Sequence, residues 1–407
     1  MSVGDLVILG TLALAAYSYA AYPALLWLVA RRRPAPGAGP ARWPAVSIVL
    51  PVHNEGAQIA EVLEHLLALR YPGARQILVV SDASTDMTDE IVALYRDRGV
   101  ESIRLPARAG KSAAENAAVT HLRGDVIVNT DASVRVEPGA LRALVAALAD
   151  PRTGVASGRD VSVSVNRAEA NGAEAGYVGF EMWLRGCETR LGGIVGASGC
   201  LYAIRAELHR EPVAPGLSRD FAAALRARAH GYRAVSVPEA ICLVPRAPSL
   251  RQEYRRKVRT VTRGLATLFA YRSLLNPLRD ARFAWMLASH KLSRWLVPVA
   301  TVAAGAALAW HARTDAGARV VLALGGVVGV AAVVGWLWPA RRPLPRALAL
   351  VTWGVAANVA VLYAWVRLLS GRRDAVWEPT RRAGSPAAAP AQHHRQRAQH
   401  DMEVLQR

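Results

Sequence analysis

Cysteine is scarce. The three present (Cys187, Cys200, Cys242) form no CxxC pair and no metal-ligand spacing. This excludes a disulfide-stapled scaffold and leaves three ordinary thiols of a reducing compartment. Lysine is equally rare, with Lys111, Lys257 and Lys291 alone, so arginine carries nearly all the positive charge. Acids are also short, 31 Asp and Glu against 50 Lys and Arg, giving a net charge of +19. That excess suits nucleic acid, an anionic membrane surface or a phosphate-bearing substrate, and only its placement along the chain can decide. With 20% charged and 52% hydrophobic residues, general disorder is excluded, and 407 residues suggest two or three domains. There is no GxxxxGK[ST] and no GxGxxG after the first strand-like run, so neither a P-loop nor a dinucleotide fingerprint is present.

Long uncharged runs are abundant. Leu6 to Ala30 carries no charge and is followed by Arg31, Arg32 and Arg33. A hydrocarbon core of about 30 Å needs roughly 20 apolar helical residues. A cleaved signal peptide would carry its basic residues before the apolar run, so an uncleaved anchor is expected, with its arginine end in the cytoplasm. Three further runs, Trp295 to Ala312, Val320 to Ala340 and Ala347 to Val366, are bounded by arginine and carry tryptophans near their ends. The first is short and contains Pro298. Four spans put both termini outside, whereas the basic tail from Gly371 favours the inside. The two demands conflict unless one run is re-entrant or interfacial. The expectation is a multi-pass plasma-membrane protein whose central region faces the cytoplasm, with the bilayer itself as a partner.

From Ala45 the periodicity changes. β-Branched runs at Val46 to Val52, Gln76 to Ser81, Glu101 to Leu105 and Asp125 to Thr130 alternate with helical patterns at Ile59 to Arg70, Asp86 to Asp97 and Ser112 to Leu122. Such alternation predicts an α/β domain with parallel pairing in a doubly wound sheet, and ligands bind such sheets at the carboxyl ends of the strands. Asn54, Glu55, Asp82 and Asp131 stand there. Carboxylates so placed can bond a base or ribose, or hold Mg²⁺ or Mn²⁺ against a diphosphate. Each acid alone could equally be a helix cap, as could Asp220 ahead of the helical Phe221 to His230.

Their joint order is more specific. Ser47-Ile-Val-Leu-Pro-Val-His-Asn-Glu55, Val80-Ser-Asp-Ala-Ser-Thr-Asp86, Gly110-Lys-Ser-Ala-Ala-Glu-Asn116 and Asn129-Thr-Asp-Ala-Ser133 together resemble the family 2 glycosyltransferases. These are inverting enzymes of the GT-A fold that use nucleotide-diphosphate sugars. The resemblance continues through Ser198 to Arg205, Arg219-Asp220, Gly231 to Glu239 and Gln252-Glu-Tyr-Arg-Arg256, and with the flanking spans is similar to membrane-bound polysaccharide synthases.

It implies that Pro51, Asn54, Glu55 and Asp82 hold the base and ribose, and that Lys111 approaches the phosphates. Asp131 would coordinate the divalent metal, and Asp220 would act as general base on the acceptor hydroxyl. Gln252, Arg255 and Arg256 would hold the diphosphate and the acceptor end. Three positions depart from the family: Ser133 replaces the second Asp of DxD, Arg219 stands where an acid often precedes the base, and Arg256 replaces the Trp of QxxRW.

Leu250, Tyr254, Val258, Val261, Leu265 and Leu268 form one apolar stripe, with Arg251, Arg255, Arg256, Lys257, Arg259 and Arg263 around it. A basic amphipathic helix of this kind is expected to lie on an anionic leaflet, and with spans beside it no nucleic-acid partner is expected. The chain thus divides into an anchor (1–33), a GT-A catalytic region (45–245), basic interfacial helices (246–290), about three C-terminal spans (292–370) and a basic, disordered tail (371–407). Two functions compete: a membrane-integrated transferase moving sugar from a nucleotide-sugar donor to a glycan or lipid-linked acceptor, and a non-catalytic scaffold that keeps a nucleotide-sugar pocket.

Overall fold

The computed structural model describes residues 1–30, 40, 42–163, 172–245, 249–339 and 344–371. The arginines at 31–33 and the tail after Gly371 lie outside the described residues. Helix α1 (Val3–Ala16) runs through a π turn into α2 (Tyr22–Ala30). Strands β1 (Val46–Val52), β2 (Arg75–Ser81), β3 (Val100–Arg104) and β4 (Val126–Thr130) then alternate with α3 (Ile59–Leu67), α4 (Thr88–Ala93) and α5 (Lys111–Ala118). The second half adds β5 (Arg135–Val136), α6 (Ala140–Ala147), β6 (Thr153–Val163), α7 (Gly172–Leu191), β7 (Leu201–Arg205), the one-turn α8 (Ala206–His209), α9 (Arg219–Ala229) and β8 (Arg233–Pro245).

All eight strands join one sheet in the order β3-β2-β1-β4-β7-β6-β8-β5. The first four are parallel, β7 runs antiparallel to both its neighbours, and β6 pairs parallel with β8, so the sheet is mixed. β1 is buried along its whole length because both faces are covered. Val46, Ile48, Leu50 and Val52 pack with α3 and α6 on one side, and Val49 packs with α5 and α9 on the other. Parallel pairing of β1, β2 and β4 carries Asn54, Glu55, Asp82 and Asp131 to one edge of the sheet. The helix expected over Asp86 to Asp97 is shorter: Asp86 accepts from Thr88 N–H at 3.0 Å, and the chain leaves α4 through a 3₁₀ turn and Gly99 at φ +86°.

After the sheet come α10 (Leu250–Ala270), α11 (Pro277–Leu287), α12 (Ser293–His311), α13 (Ala316–Trp336) and α14 (Arg346–Leu369). Four helical segments among the described residues are long and apolar enough to cross a membrane: Val3–Ala30, Pro277–His311, Ala316–Trp336 and Arg346–Leu369. The run read as short, at Trp295, belongs to a helical stretch of 35 residues that continues from α11 through a π turn at Ala288–Leu292.

The stripe of α10 is where the structure corrects the sequence reading. Val258, Val261, Leu265 and Leu268 are buried, with Val261 and Leu265 against Val361, Ala364, Trp365 and Leu368 of α14 and Trp295 of α12. A Cβ added at Gly264 would sit 2.9 Å from the Trp295 ring. The apolar face is spent on protein because α14 offers it an equally apolar surface, so it is not presented to a leaflet.

Candidate active site

The loops after β1 and β2 fold around each other. Asn54 and Ala83 are the only non-glycine residues with positive φ among those described, at +56° and +52°. Asn tolerates the left-handed region because its amide bonds locally, and here Asn54 Oδ1 accepts from Thr85 N–H at 2.7 Å. For Ala83 that conformation is strained, and such strain gathers where a loop is held for a ligand. Pro51 lies in β1 beyond the last residue paired with β4, where its missing N–H leaves no gap in that ladder.

Asp82 is no helix cap. Its Oδ1 and Oδ2 accept from the N–H groups of Ala109 and Gly110 at 2.7 and 2.8 Å, fixing the loop that delivers Lys111. Gly110 has φ +92°, a turn that favours glycine. The Lys111 ammonium then forms an ion pair with Asp131 and lies 3.4 Å from the Gly199 carbonyl. Burial by itself lowers the Lys111 pKa, but Asp131, Glu115 and Asp220 outweigh it and hold the ammonium above its ordinary value.

Asp220 sits in the first turn of α9, yet it does not bond the helix backbone; Ser218 Oγ donates to its Oδ1 at 2.5 Å. A Cβ added at Gly199 would lie 3.1 Å from Asp220 Oδ2. The Gly199 carbonyl faces Lys111 and its Cα faces Asp220, so one residue links the two groups. Lys111, Asp131 and Asp220 thus converge, although more than a hundred residues separate the first from the last.

Arg219, a departure from the family pattern, is explained by a residue that sequence reasoning missed. Its Nε pairs with Glu115 at 3.0 Å, both side chains being at least nine-tenths buried, and its guanidinium also donates to Asn116. Burial pushes the Glu115 pKa up against the pull of Lys111 and Arg219. The signal was available: Glu115 lies one turn after Lys111 inside a quoted motif. Removing one partner of a buried pair strands the other charge, so Glu115→Gln is expected to cost about 3–5 kcal/mol. The double variant Glu115→Gln/Arg219→Met should regain much of the loss, as thermal unfolding of all three proteins will report.

Glu55 is buried beside Gln58, whose Nε2 donates to its Oε2 at 2.5 Å, and Thr88 Oγ1 accepts from its backbone N–H at 2.9 Å. Burial, with smaller contributions from Asp131 and Asp86, raises its carboxyl from 4.5 to about 7. A raised carboxyl pKa stabilises the fold fully below 4.5 and loses that contribution as pH rises through about 7. Wild-type Tm should therefore fall relative to Glu55→Gln between pH ~5 and ~8, and parallel Tm curves would show Glu55 to be solvated.

The α10 residues stand differently. Arg256 is held by Glu253, one turn earlier on its own helix, at 2.7 and 2.8 Å. Gln252 Oε1 is buried without a hydrogen-bond partner. Neither Arg255 nor Arg256 has a described contact with the Lys111–Asp131–Asp220 group. Among the described residues no three His, Cys, Asp or Glu side chains form a ready metal cage. The Asp131 carboxylate instead suits a cation completed by substrate phosphate oxygens, with Lys111 already showing that Asp131 attracts a cation.

A mixed sheet with acids at its carboxyl edge defines a nucleotide-diphosphate-sugar transferase fold of the GT-A type. Residues 47–209 match the model of glycosyl transferase family 2, so the chain carries a family 2 glycosyltransferase domain. An N-acetylglucosaminyltransferase of Rhizobium sp. is 26% identical over 238 residues, 52% of this chain and 52% of that protein. A beta-monoglucosyldiacylglycerol synthase of Synechocystis sp. is 32% identical over 149 residues, 35% of this chain and 28% of its own length. The chain spans about half the length of the first of these curated relatives and less of the second. A mannosyltransferase of Pyrobaculum calidifontis, solved with GDP-Man and Mn²⁺, shares the fold with a TM-score of 0.67 at 24% identity, over 90% of this chain and all of that one.

Proposed function

We infer that the chain is a membrane-integrated inverting glycosyltransferase, moving a sugar from a nucleotide-diphosphate donor to a glycan or lipid-linked acceptor in cell-surface polysaccharide or glycolipid synthesis. The observation that carries this reading is the convergence of Lys111, Asp131 and Asp220 at the carboxyl edge of the sheet. Four long apolar helices support the membrane setting, and Arg31, Arg32 and Arg33 after the first apolar run support a cytoplasmic catalytic face.

The chemistry follows from the groups present. Asp220 takes the proton from the acceptor hydroxyl while that oxygen bonds to the anomeric carbon. The bond from that carbon to the diphosphate breaks on the opposite face, its electron pair leaves with the nucleoside diphosphate, and the configuration inverts. Glu55, Asn54 and the Asp82-held loop grip the base and ribose, and Lys111 offers its charge to the phosphates. Asp131, with Ser133, is the protein's share of a Mg²⁺ or Mn²⁺ site, and the metal supplies charge stabilisation to the departing diphosphate. The metal-bound mannosyltransferase of the same fold is consistent with this. Gln252, Arg255 and Arg256 hold the diphosphate and the acceptor end, where Arg256 must exchange Glu253 for substrate.

The test is a screen of nucleotide sugars against the purified full chain with Mn²⁺, read as nucleoside diphosphate released. One donor is expected to give metal-dependent release. Nucleotide binding without release for every donor would favour the non-catalytic scaffold.

A further inference from the structure

A second polar cluster lies between the glycosyltransferase domain and the apolar helices. α7 contributes Glu181, Arg185 and Glu188, and the π turn before α12 with the first residues of α12 contributes His290, Lys291 and Arg294. The two carboxylates are fully engaged. Glu188 meets His290 Nδ1 at 2.6 Å and accepts from the Tyr22 hydroxyl at 2.9 Å; Glu181 meets His290 Nε2 at 2.9 Å and pairs with Arg294. Arg294 is further covered by the rings of Tyr19 and Phe180.

Two cations of the cluster, Lys291 and Arg185, make no ion pair among the described residues. Lys291 Nζ has its nearest described polar neighbour, His290 Nε2, at 3.4 Å and makes no ion pair among the described residues. Arg185 reaches only the Ala197 carbonyl, at 3.4 Å, while its Nε and Nη1 are shut off from solvent with no hydrogen-bond partner. The two lie close enough to feel each other's charge, and Glu181 and Glu188 lie close enough to act on Lys291 as well, without an ion pair. The two Arg185 donors, buried without acceptors and beside a like charge, are held at a cost that an anion would remove.

Their position says what kind of anion. A Cβ added at Gly196 would sit 3.6 Å from Lys291 Cε, Ala197 accepts from Arg185, and Gly199 touches Asp220 and Lys111. Residues 196–199 span at most about 11 Å, so the two cations stand just behind the base, on the side of the apolar helices. Trp183, on α7 two residues from Arg185, is 43% exposed. A negative group arriving here with a hydrocarbon attached finds cations for the head and apolar helices for the tail.

We propose that Arg185 and Lys291 form the subsite for the phosphate of a phosphate-bearing acceptor. This rests on the transferase reading, in which Asp220 faces the acceptor. A phosphate oxygen can take one of the free Arg185 donors while Lys291 adds a point charge.

The scarcity of lysine makes a direct test possible on the unaltered protein. The full chain in neutral detergent is treated with an amine-acylating reagent, and modification of Lys111, Lys257 and Lys291 is followed by mass spectrometry with dodecyl phosphate, inorganic phosphate or dodecanol. Dodecyl phosphate is expected to slow acylation of Lys291 at least tenfold and leave Lys257 unchanged, with no effect of dodecanol. Protection by inorganic phosphate at equal concentration would assign the site to free phosphate; protection by dodecyl phosphate alone would assign it to a lipid phosphate. Arg185→Gln should abolish the protection, Arg185→Lys should restore part of it, and Arg190→Gln, on the exposed end of the same helix, should not alter it. Unchanged acylation of Lys291 under both phosphates would overturn the proposal. Release of nucleoside diphosphate from nucleotide sugars, measured on the same preparation, reports the transferase reading separately, so its failure would be visible there and not in the acylation of Lys291.

Discussion

Asp220→Asn is expected to bind donor nucleotide normally and to lose transfer by about 10²–10⁴-fold, the usual contribution of a general base. The substitution is nearly isosteric. Asn can still accept from Ser218 Oγ, which donates to Asp220 at 2.5 Å, so the first turn of α9 should stay as it is. The carboxylate bonds no backbone N–H of its own helix, which removes the capping role that its sequence position suggested. Initial rates beside nucleotide affinity decide the matter: a variant keeping more than about a tenth of the wild-type rate would move the base elsewhere.

Asp131→Ala should reduce metal-dependent turnover by at least about 10²-fold, since charge stabilisation of the leaving diphosphate is worth several kcal/mol. Expression and helical content should be unchanged. Lys111 loses its ion-pair partner but keeps the Gly199 carbonyl at 3.4 Å and the nearby charges of Glu115 and Asp220. Mn²⁺ titration in the presence of nucleoside diphosphate separates the alternatives. Loss of metal affinity with an intact fold is the expected result, and full activity without Asp131 would sink the assignment. Ser133→Asp, which restores the fuller motif, should keep or tighten the metal.

The first half of the sheet was legible because its strands obey simple rules. Val46 to Val52 and Gln76 to Ser81 are β-branched runs buried on both faces, and the acids after them stand where parallel pairing puts ligands. The second half was not. β6 is interrupted by Gly154 and Gly158, changes register near Ser157, and is buried over only its first six residues. β8 contains Pro238 and Glu239, and β5 is two residues long. Such strands exist because their neighbours pair with them, which local pattern does not reveal.

The same limit applies to the site. Asp82, Lys111, Asp131 and Asp220 could be picked from their order in the chain, whereas the hold of Asp82 on Ala109 and Gly110, and of Glu115 on Arg219, depends on distant residues meeting in space. The α10 stripe misled for the opposite reason. Its 3.6-residue period was real, but periodicity says that a face is covered and not by what.

α9 has two faces. Asp220 looks into the cleft, while its neighbour Phe221 and, one turn on, Leu225 are packed among Tyr22 and Leu26 of α2, Leu184 of α7 and Phe283, Met286 and Leu287 of α11. The packing behind Asp220 thus includes the long apolar helices, and the glycosyltransferase domain is no detachable cassette. A chain cut after β8 would uncover this seam to water directly behind Asp220. In the proposed membrane setting, lateral pressure or bilayer thickness acting on α2 and α11 would reach Asp220, the proposed base, through the width of a single phenyl ring.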